Sequence, residues 1–353
     1  MRSHKPSAHR LEIGAIGCLL VAVLTFFGGS VVFAAAAPAK PESLDELYEK
    51  AKKEGGKLTL YVALSQRSIE VILPAFTKRF PAVTLDHFDA TADKLVARHV
   101  AELRGGRVLA DVIGGALPYM AQMTEQKLIE PIALPEAAAY PAQLKSEHWV
   151  ATDTQFYIIG WNTQLVKKGD EPKGFEDLVN VKWKDALMGE PRDFQLLIGL
   201  AKRKYNSDDR AIDLFKRIAA NQVEFHRGHS QLAEFLVAGQ RQVCFTCYAH
   251  HFPPRVKKGA PIQSLLTEGV GEVGGAVSII KGAPHPNTAL LWARWAVSEE
   301  GQRVYAQAGE TPAHPNVEPQ EKIRPTAAYM LTLDDGKEFP KYEKLWKEIF
   351  QIR

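Results

Sequence analysis

Cysteine is scarce, at 3 in 353 residues, which excludes a small scaffold held together by disulfides. Cys18 lies in an N-terminal apolar run, so Cys244 and Cys247 form the one C-x-x-C pair. A zinc ribbon needs a second such pair, and a thioredoxin-type motif needs a turn that opens a helix. Here Gln242-Val243-Cys244-Phe245-Thr246-Cys247-Tyr248 reads as a strand, so the pair is expected as a local disulfide or as two buried thiols. Charge of one sign is missing too: 44 Lys and Arg stand against 41 Asp and Glu, a net +3. So small a bias over so long a chain leaves no electrostatic footprint for nucleic acid. There is no repeat at a solenoid period and no low-complexity linker. What is present, 46% hydrophobic and 24% charged residues, supports packed cores, and the length allows two domains at about 100 to 200 residues each.

The N-terminus stands apart. Arg2, Lys5 and Arg10 precede an apolar stretch from Ile13 to Phe27, then Gly28-Gly29-Ser30 and the small-residue end Val31 to Ala37. A basic region, an apolar region and an alanine-rich end predict a secretory signal peptide over residues 1–36, cut among Ala34 to Ala37. Glycine and serine interrupt the run before it becomes an uncleaved anchor, and nothing later approaches the roughly 20 apolar residues that span a bilayer. The mature chain is then near neutral and sits in an oxidising compartment.

Beyond the leader, Ser43-Leu44-Asp45-Glu46 is a capping box that opens a helix closed by Gly55-Gly56. Lys57 to Ala63 alternates as a strand, Ser68 to Phe80 reads as a helix, and Val83 to Phe88 is a second strand. A helix carrying Leu95, Val96, His99, Val100 and Leu103 follows, then a short strand Ala110 to Gly114 and a helix Leu117 to Lys127. Strand and helix in alternation, with short connections, predict a parallel doubly wound sheet. A second set follows Trp149. Its strands lie at Phe156 to Trp161, Val223 to Phe225, Gln242 to Tyr248, Ile262 to Leu266 and Gly275 to Ile280. Its helices lie at Gln195 to Lys204, Asp208 to Asn221, Ser230 to Val237 and Asn287 to Val297. Ligands of such sheets sit outside the carboxyl ends of the strands.

Several runs fall in a specific order: Leu58-Thr59-Leu60-Tyr61, Ala110-Asp111-Val112-Ile113, Gly160-Trp161-Asn162-Thr163, Phe175-Glu176-Asp177-Leu178, Lys182-Trp183-Lys184, Ala220-Asn221, His285-Pro286-Asn287-Thr288-Ala289 and Ser298-Glu299-Glu300-Gly301-Gln302. From about residue 57 to 317 the chain thereby resembles the extracellular solute-binding proteins of ABC importers, in the type 2 periplasmic group that contains ferric-ion binders. The resemblance implies an α/β fold of two doubly wound lobes joined by two crossover strands, near Ala151 to Ile158 and Glu268 to Gly275. Residues 57–152 with 273–353 would form the first lobe and 153–272 the second, closing on a ligand. It further implies a monomer in the periplasm, handing cargo to an inner-membrane permease and its ATPase, with no cofactor, no nucleic acid and no catalytic step.

In that resemblance the ferric binders use a histidine, a glutamate and a tyrosine pair. This chain has Ser65 and Ala116 at the first two places and Ala249-His250 near the third, just after Tyr248. Iron would therefore lose a carboxylate and at least one phenolate. The anion-binding relatives imply contact at Arg192-Asp193 and at His229-Ser230, where a helix N-terminus and a guanidinium fork suit carboxylate or phosphate. Ser65 and Gln66 would close over the solute from the first lobe, where Gly115 and Ala116 let it approach the backbone. Gln155 and Tyr157 would reach the floor, and Tyr248 or His250 would give polar contacts or stacking. The alternative cargo is a metal: ferric ion through tyrosine, or zinc or copper through His226, His229, Tyr248 and His250, since imidazole suits those ions. Gly269 to Gly274 matches G-x-G-x-x-G, yet a strand follows it, which argues against a dinucleotide.

Overall fold

A computed structural model describes residues 42–352, so the expected signal peptide and Cys18 lie outside the described residues. The first half contains α1 (Leu44–Lys53), β1 (Lys57–Val62), α2 (Gln66–Arg79), β2 (Thr84–Asp89), α3 (Ala92–Arg104), β3 (Val112–Gly115) and α4 (Leu117–Glu125). The long strand β4 (Val150–Asn162) leads to β5 (Leu187–Gly189), α5 (Phe194–Gly199), α6 (Asp208–Ala219), β6 (Glu224–Phe225), α7 (His229–Val237), β7 (Val243–Tyr248), α8 (Phe252–Val256) and β8 (Ile262–Ser264). A second long strand, β9 (Glu268–Ile279), returns to α9 (Pro286–Val297) and α10 (Glu299–Ala308). The chain ends with β10 (Ala327–Met330) and α11 (Phe339–Phe350). Among the described residues no helix is long and apolar enough to cross a membrane.

The capping box forms as the sequence predicts: Ser43 Oγ accepts from Glu46 N and the Glu46 carboxylate accepts from Ser43 N. The next helix begins at Gln66, two residues earlier than its pattern suggests, because Ser65 Oγ caps it, and it runs straight through Pro74. Parallel pairing of β1 with β2 and β3 meets the doubly wound expectation, as does parallel pairing of β5 with β6 and β7.

The principal departure is the length of the two crossing strands. Val150–Asn162 is buried along nearly all its length and carries one charge, Asp153, as a central strand with both faces covered should. The glycine run that mimics a nucleotide loop is the middle of β9. Its glycines are there for close approach: a methyl on Gly274 would land on Asp153 Oδ1, and one on Gly275 on Oδ2.

Each half has its own aromatic core. In the first, Phe76 meets Trp292 at 4.9 Å, Trp295 at 5.2 Å and Phe80 at 5.0 Å. In the second, Trp346 meets Phe215 at 5.2 Å and Phe350 at 4.5 Å. The chain's end thus departs from the sequence expectation that 273–353 belongs wholly to the first lobe. β10 pairs with β9 at Glu268 to Gly271, and Tyr342 OH donates to Asp208 Oδ1 at 2.7 Å. The buried side chains that fix α11 are Tyr342 and Trp346, and their partners lie on the second half.

Cys244 and Cys247 are joined in a disulfide, Cα to Cα 5.7 Å, one of the two states expected. Ile158 lies opposite Cys247 and Gly160 opposite Cys244, so β7 spends three steps where β4 spends two. The disulfide therefore spans a β-bulge.

Candidate functional site

Strand register locates the site. At the carboxyl end of β3, Gly115 lies opposite Ala276 of β9; at that of β7, Tyr248 lies opposite Tyr157 of β4. The carboxyl ends of the two halves thus point at each other across the stretch where β4 and β9 run side by side. There Asp153 faces Gly275, Gln155 faces Glu272 and Tyr157 faces Val270, with register shifts on both sides of Asp153.

Alternation along β4 puts Gln155 and Tyr157 on one face, and their partners bring Glu272 and Tyr248 to it. Tyr157 OH donates to Glu272 Oε1 at 2.7 Å, and Gln155 Nε2 donates to the same oxygen at 2.6 Å and to Tyr248 OH at 3.1 Å. Tyr248 OH lies 3.4 Å from Tyr157 OH. Burial, with the nearby Glu272 charge next in weight, raises both phenols well above their ordinary pKa. Burial also raises Glu272, against the lowering effect of the Tyr157 and Gln155 hydrogen bonds.

The second half adds two charge pairs. His229, the first residue of α7, stacks on Tyr248 with ring centroids 3.6 Å apart and planes 10° apart. Its Nε2 lies 3.1 Å from both oxygens of Asp193. Burial alone would lower the imidazolium; the Asp193 carboxylate overrides it and holds His229 above its ordinary pKa. Arg192 donates from Nε to Glu190 Oε1 at 2.7 Å and from its backbone N to Oε2 at 2.6 Å. Its side chain remains 64% exposed while that of Glu190 is buried. The Arg192 charge is felt at Tyr248 and, from the other half, at Tyr119 on α4.

The structure therefore gathers Gln155, Arg192, Asp193, His229 and Tyr248 around one spot. His250 joins them, its ring 5.5 Å from Tyr248 and 4.4 Å from His251. Burial, then the neighbouring positive charges, pushes His250 down to about 4 and His251 to about 3, so both are neutral at neutral pH. Ser230 follows His229 at the exposed start of α7, whose N-cap Gly228 supplies no side-chain hydrogen bond. On the first half, Ser65 is occupied as a helix cap, and the Gln66 amide donates to Glu70 at 2.9 Å. Gly115 lines a cavity of about 30 Å³ with Leu64 and Thr152, and Ala116 is the N-cap of α4, again without a side-chain bond. A larger cavity, about 100 Å³, lies between Arg67 and Glu310 of the first half and His250 and Lys257 of the second.

The histidine metal set is only partly assembled. His226 is engaged elsewhere, 2.6 Å from Glu224 and 3.0 Å from Gln240. Among the described residues no group of three or more His, Cys, Asp or Glu side chains is arranged to hold a metal. Sequence reading missed Glu190, Glu272, Asp153 and Glu310. A signal existed for two of them: Glu272 is the one charge between Gly269 and Ile280, and Asp153 the one charge between Trp149 and Val166. A lone acid in a strand buried on both faces has to be partnered or neutral.

Solved structures of the same architecture include iron-bound HitA from Pseudomonas aeruginosa: 17% identity, 83% of this chain and 99% of that one, TM-score 0.70. AfuA from Actinobacillus pleuropneumoniae, with exogenous fructose-6-phosphate bound, matches at 22% identity over 84% and 99%, TM-score 0.66. An uncharacterized protein of Haemophilus influenzae is 25% identical over 274 residues, 72% of this chain and 77% of its own length. The fold is that of the type 2 periplasmic binding proteins. Residues 109–331 match the sequence profile of one family, and the chain belongs to it: the bacterial extracellular solute-binding proteins.

Proposed function

We propose that this chain is the periplasmic solute-binding subunit of an ABC importer and that it captures a small anionic solute between two lobes. Residues 57–152 with the start of the return segment at 273 form one lobe and 153–272 the other, with β10 and α11 riding on the second. The observation that carries the anion is the exposed Arg192 guanidinium, next in sequence to the Asp193 that holds the His229 imidazolium at the uncapped start of α7. Free N–H groups at a helix start and a positive fork together favour carboxylate or phosphate. Tyr248, stacked on His229, gives that anion an aromatic wall. A solute touching both lobes binds the closed form better than the open one and shifts the population toward it. No reaction is assigned, since among the described residues no hydrogen bond joins Ser230 to an imidazole ring.

The test is thermal unfolding of the mature chain, stripped of cargo by denaturation and refolding, against carboxylates, phosphate esters, phosphonates, ferric citrate and zinc. A solute at 100 times its dissociation constant adds about 2.7 kcal/mol, or roughly 4 °C for a chain of this size. One anion class is expected to give that shift and Arg192→Ala to remove most of it. A shift with ferric or zinc ion alone would overturn the anion.

A further inference from the structure

Counting the charges that face the site leaves one acid over. Glu190 is matched by Arg192 and Asp193 by His229, while His250 and His251 are neutral at neutral pH. Glu272 is 3% exposed; its hydrogen-bond partners are uncharged, the Tyr157 hydroxyl and the Gln155 amide, both on Oε1, and the positive charge felt there is that of His229, already paired with Asp193. The other Glu272 oxygen, Oε2, accepts no hydrogen bond among the described residues and is not among the fully enclosed unpartnered atoms, so it is the one left to take a further donor.

A buried carboxylate without a countercharge costs several kcal/mol, and a glutamine would serve the same phenol and amide without that cost. A carboxyl is worth keeping here if the countercharge arrives with the ligand. We propose that Glu272 is the subsite for a protonated amine of the solute, so that the cargo is a small zwitterion with its anionic end at Arg192 and the start of α7. The inference rests on the solute-binding reading above. A neutral hydroxyl would satisfy Oε2 but not the charge; an ammonium satisfies both, with charge-assisted hydrogen bonds of the stronger kind. It also makes the site selective, because a solute lacking the amine leaves the carboxyl desolvated and unpaired.

The experiment is isothermal titration with matched pairs: ethanolamine phosphate against ethyl phosphate, and β-alanine against propionate. In the pair that binds, the amine-bearing member is expected to bind at least tenfold tighter. Glu272→Gln should cut that ratio below threefold, and Glu272→Asp, which keeps the charge, should retain the preference. Equal affinities within the pair, or a preference that survives Glu272→Gln, would overturn the amine subsite. If another anion of the panel binds and neither pair does, the subsite is likewise overturned while the importer reading stands. If nothing in the panel binds, the anionic-solute reading itself falls.

Discussion

Trp346→Ala is expected to lower the unfolding free energy by about 3 to 5 kcal/mol, the range for deleting a buried aromatic from a packed core. Trp346 is fully buried and touches Phe215, Phe225, Phe245 and Phe350, so the hole opens where the end of the chain docks on the second lobe. The same segment is tied by Arg203, which donates to Asp335 at 2.5 Å and to the Met330 carbonyl at 3.1 Å, and these contacts prevent α11 from simply following the missing ring inward. Urea unfolding of wild type and variant measures the difference. A loss under about 1 kcal/mol would show that α11 is not seated in this core.

The second large effect is a dependence on pH centred on Asp153. Its carboxyl, buried between the two crossing strands, is pushed up to about 8, chiefly by burial and then by the Glu310 charge. Glu310 is itself raised by burial, against its bond from Ser68 and the charge of Arg67, and Tyr305 packs near the same pair. In the unfolded chain an aspartate holds its proton only below its ordinary range near 4. The folded state therefore binds more protons than the unfolded state between about 4 and 8, and stability falls as pH rises through that window. Wild type should lose on the order of 2 to 3 kcal/mol between pH 5 and pH 8.5, a Tm drop of roughly 3 to 5 °C. Asp153→Asn, which keeps the shape and removes the charge, should flatten most of that slope. A variant whose Tm falls as steeply as wild type would place the titration elsewhere.

Much of the fold was legible because the strand and helix periods from Lys57 to Lys127 are clean and the first helix carries its own start signal at Ser43. The crossing strands were harder. A strand of 12 residues containing Gly269, Gly271, Gly274 and Gly275 gives the local signals of a loop, and only contacts with distant segments explain the glycines: Asp153 at Gly274 and Gly275, Phe156 and Met330 at Gly271, Pro325 at Gly269. The destination of the last 25 residues was equally hidden, since an amphipathic helix states that it docks and not where. Within the site, Arg192 and His229 were pointed to by the resemblance to anion-binding relatives, and Tyr248 by its place at the end of a strand. It could not show that Arg192 is half spent on Glu190, or that Glu272 lies beside Tyr157, because both depend on a register fixed by pairing between distant segments.

The cross-link in β7 also ties binding to the chemistry of the compartment in which the chain matures. Its two sulfurs are three positions apart, so it encloses too small a loop to restrict the unfolded chain greatly; what it fixes is alignment. Between Cys247 and the stacked His229 stands only Tyr248. In a reduced chain the extra residue of β7 would be held only by its pairing with β4 and β5 and by the Thr246 hydroxyl, which accepts from Glu190 N. A slip of one place turns the Tyr248 ring to the opposite side of the sheet. If the chain is exported as proposed above, thiol oxidation there adds a covalent hold on the alignment of the Tyr248 wall.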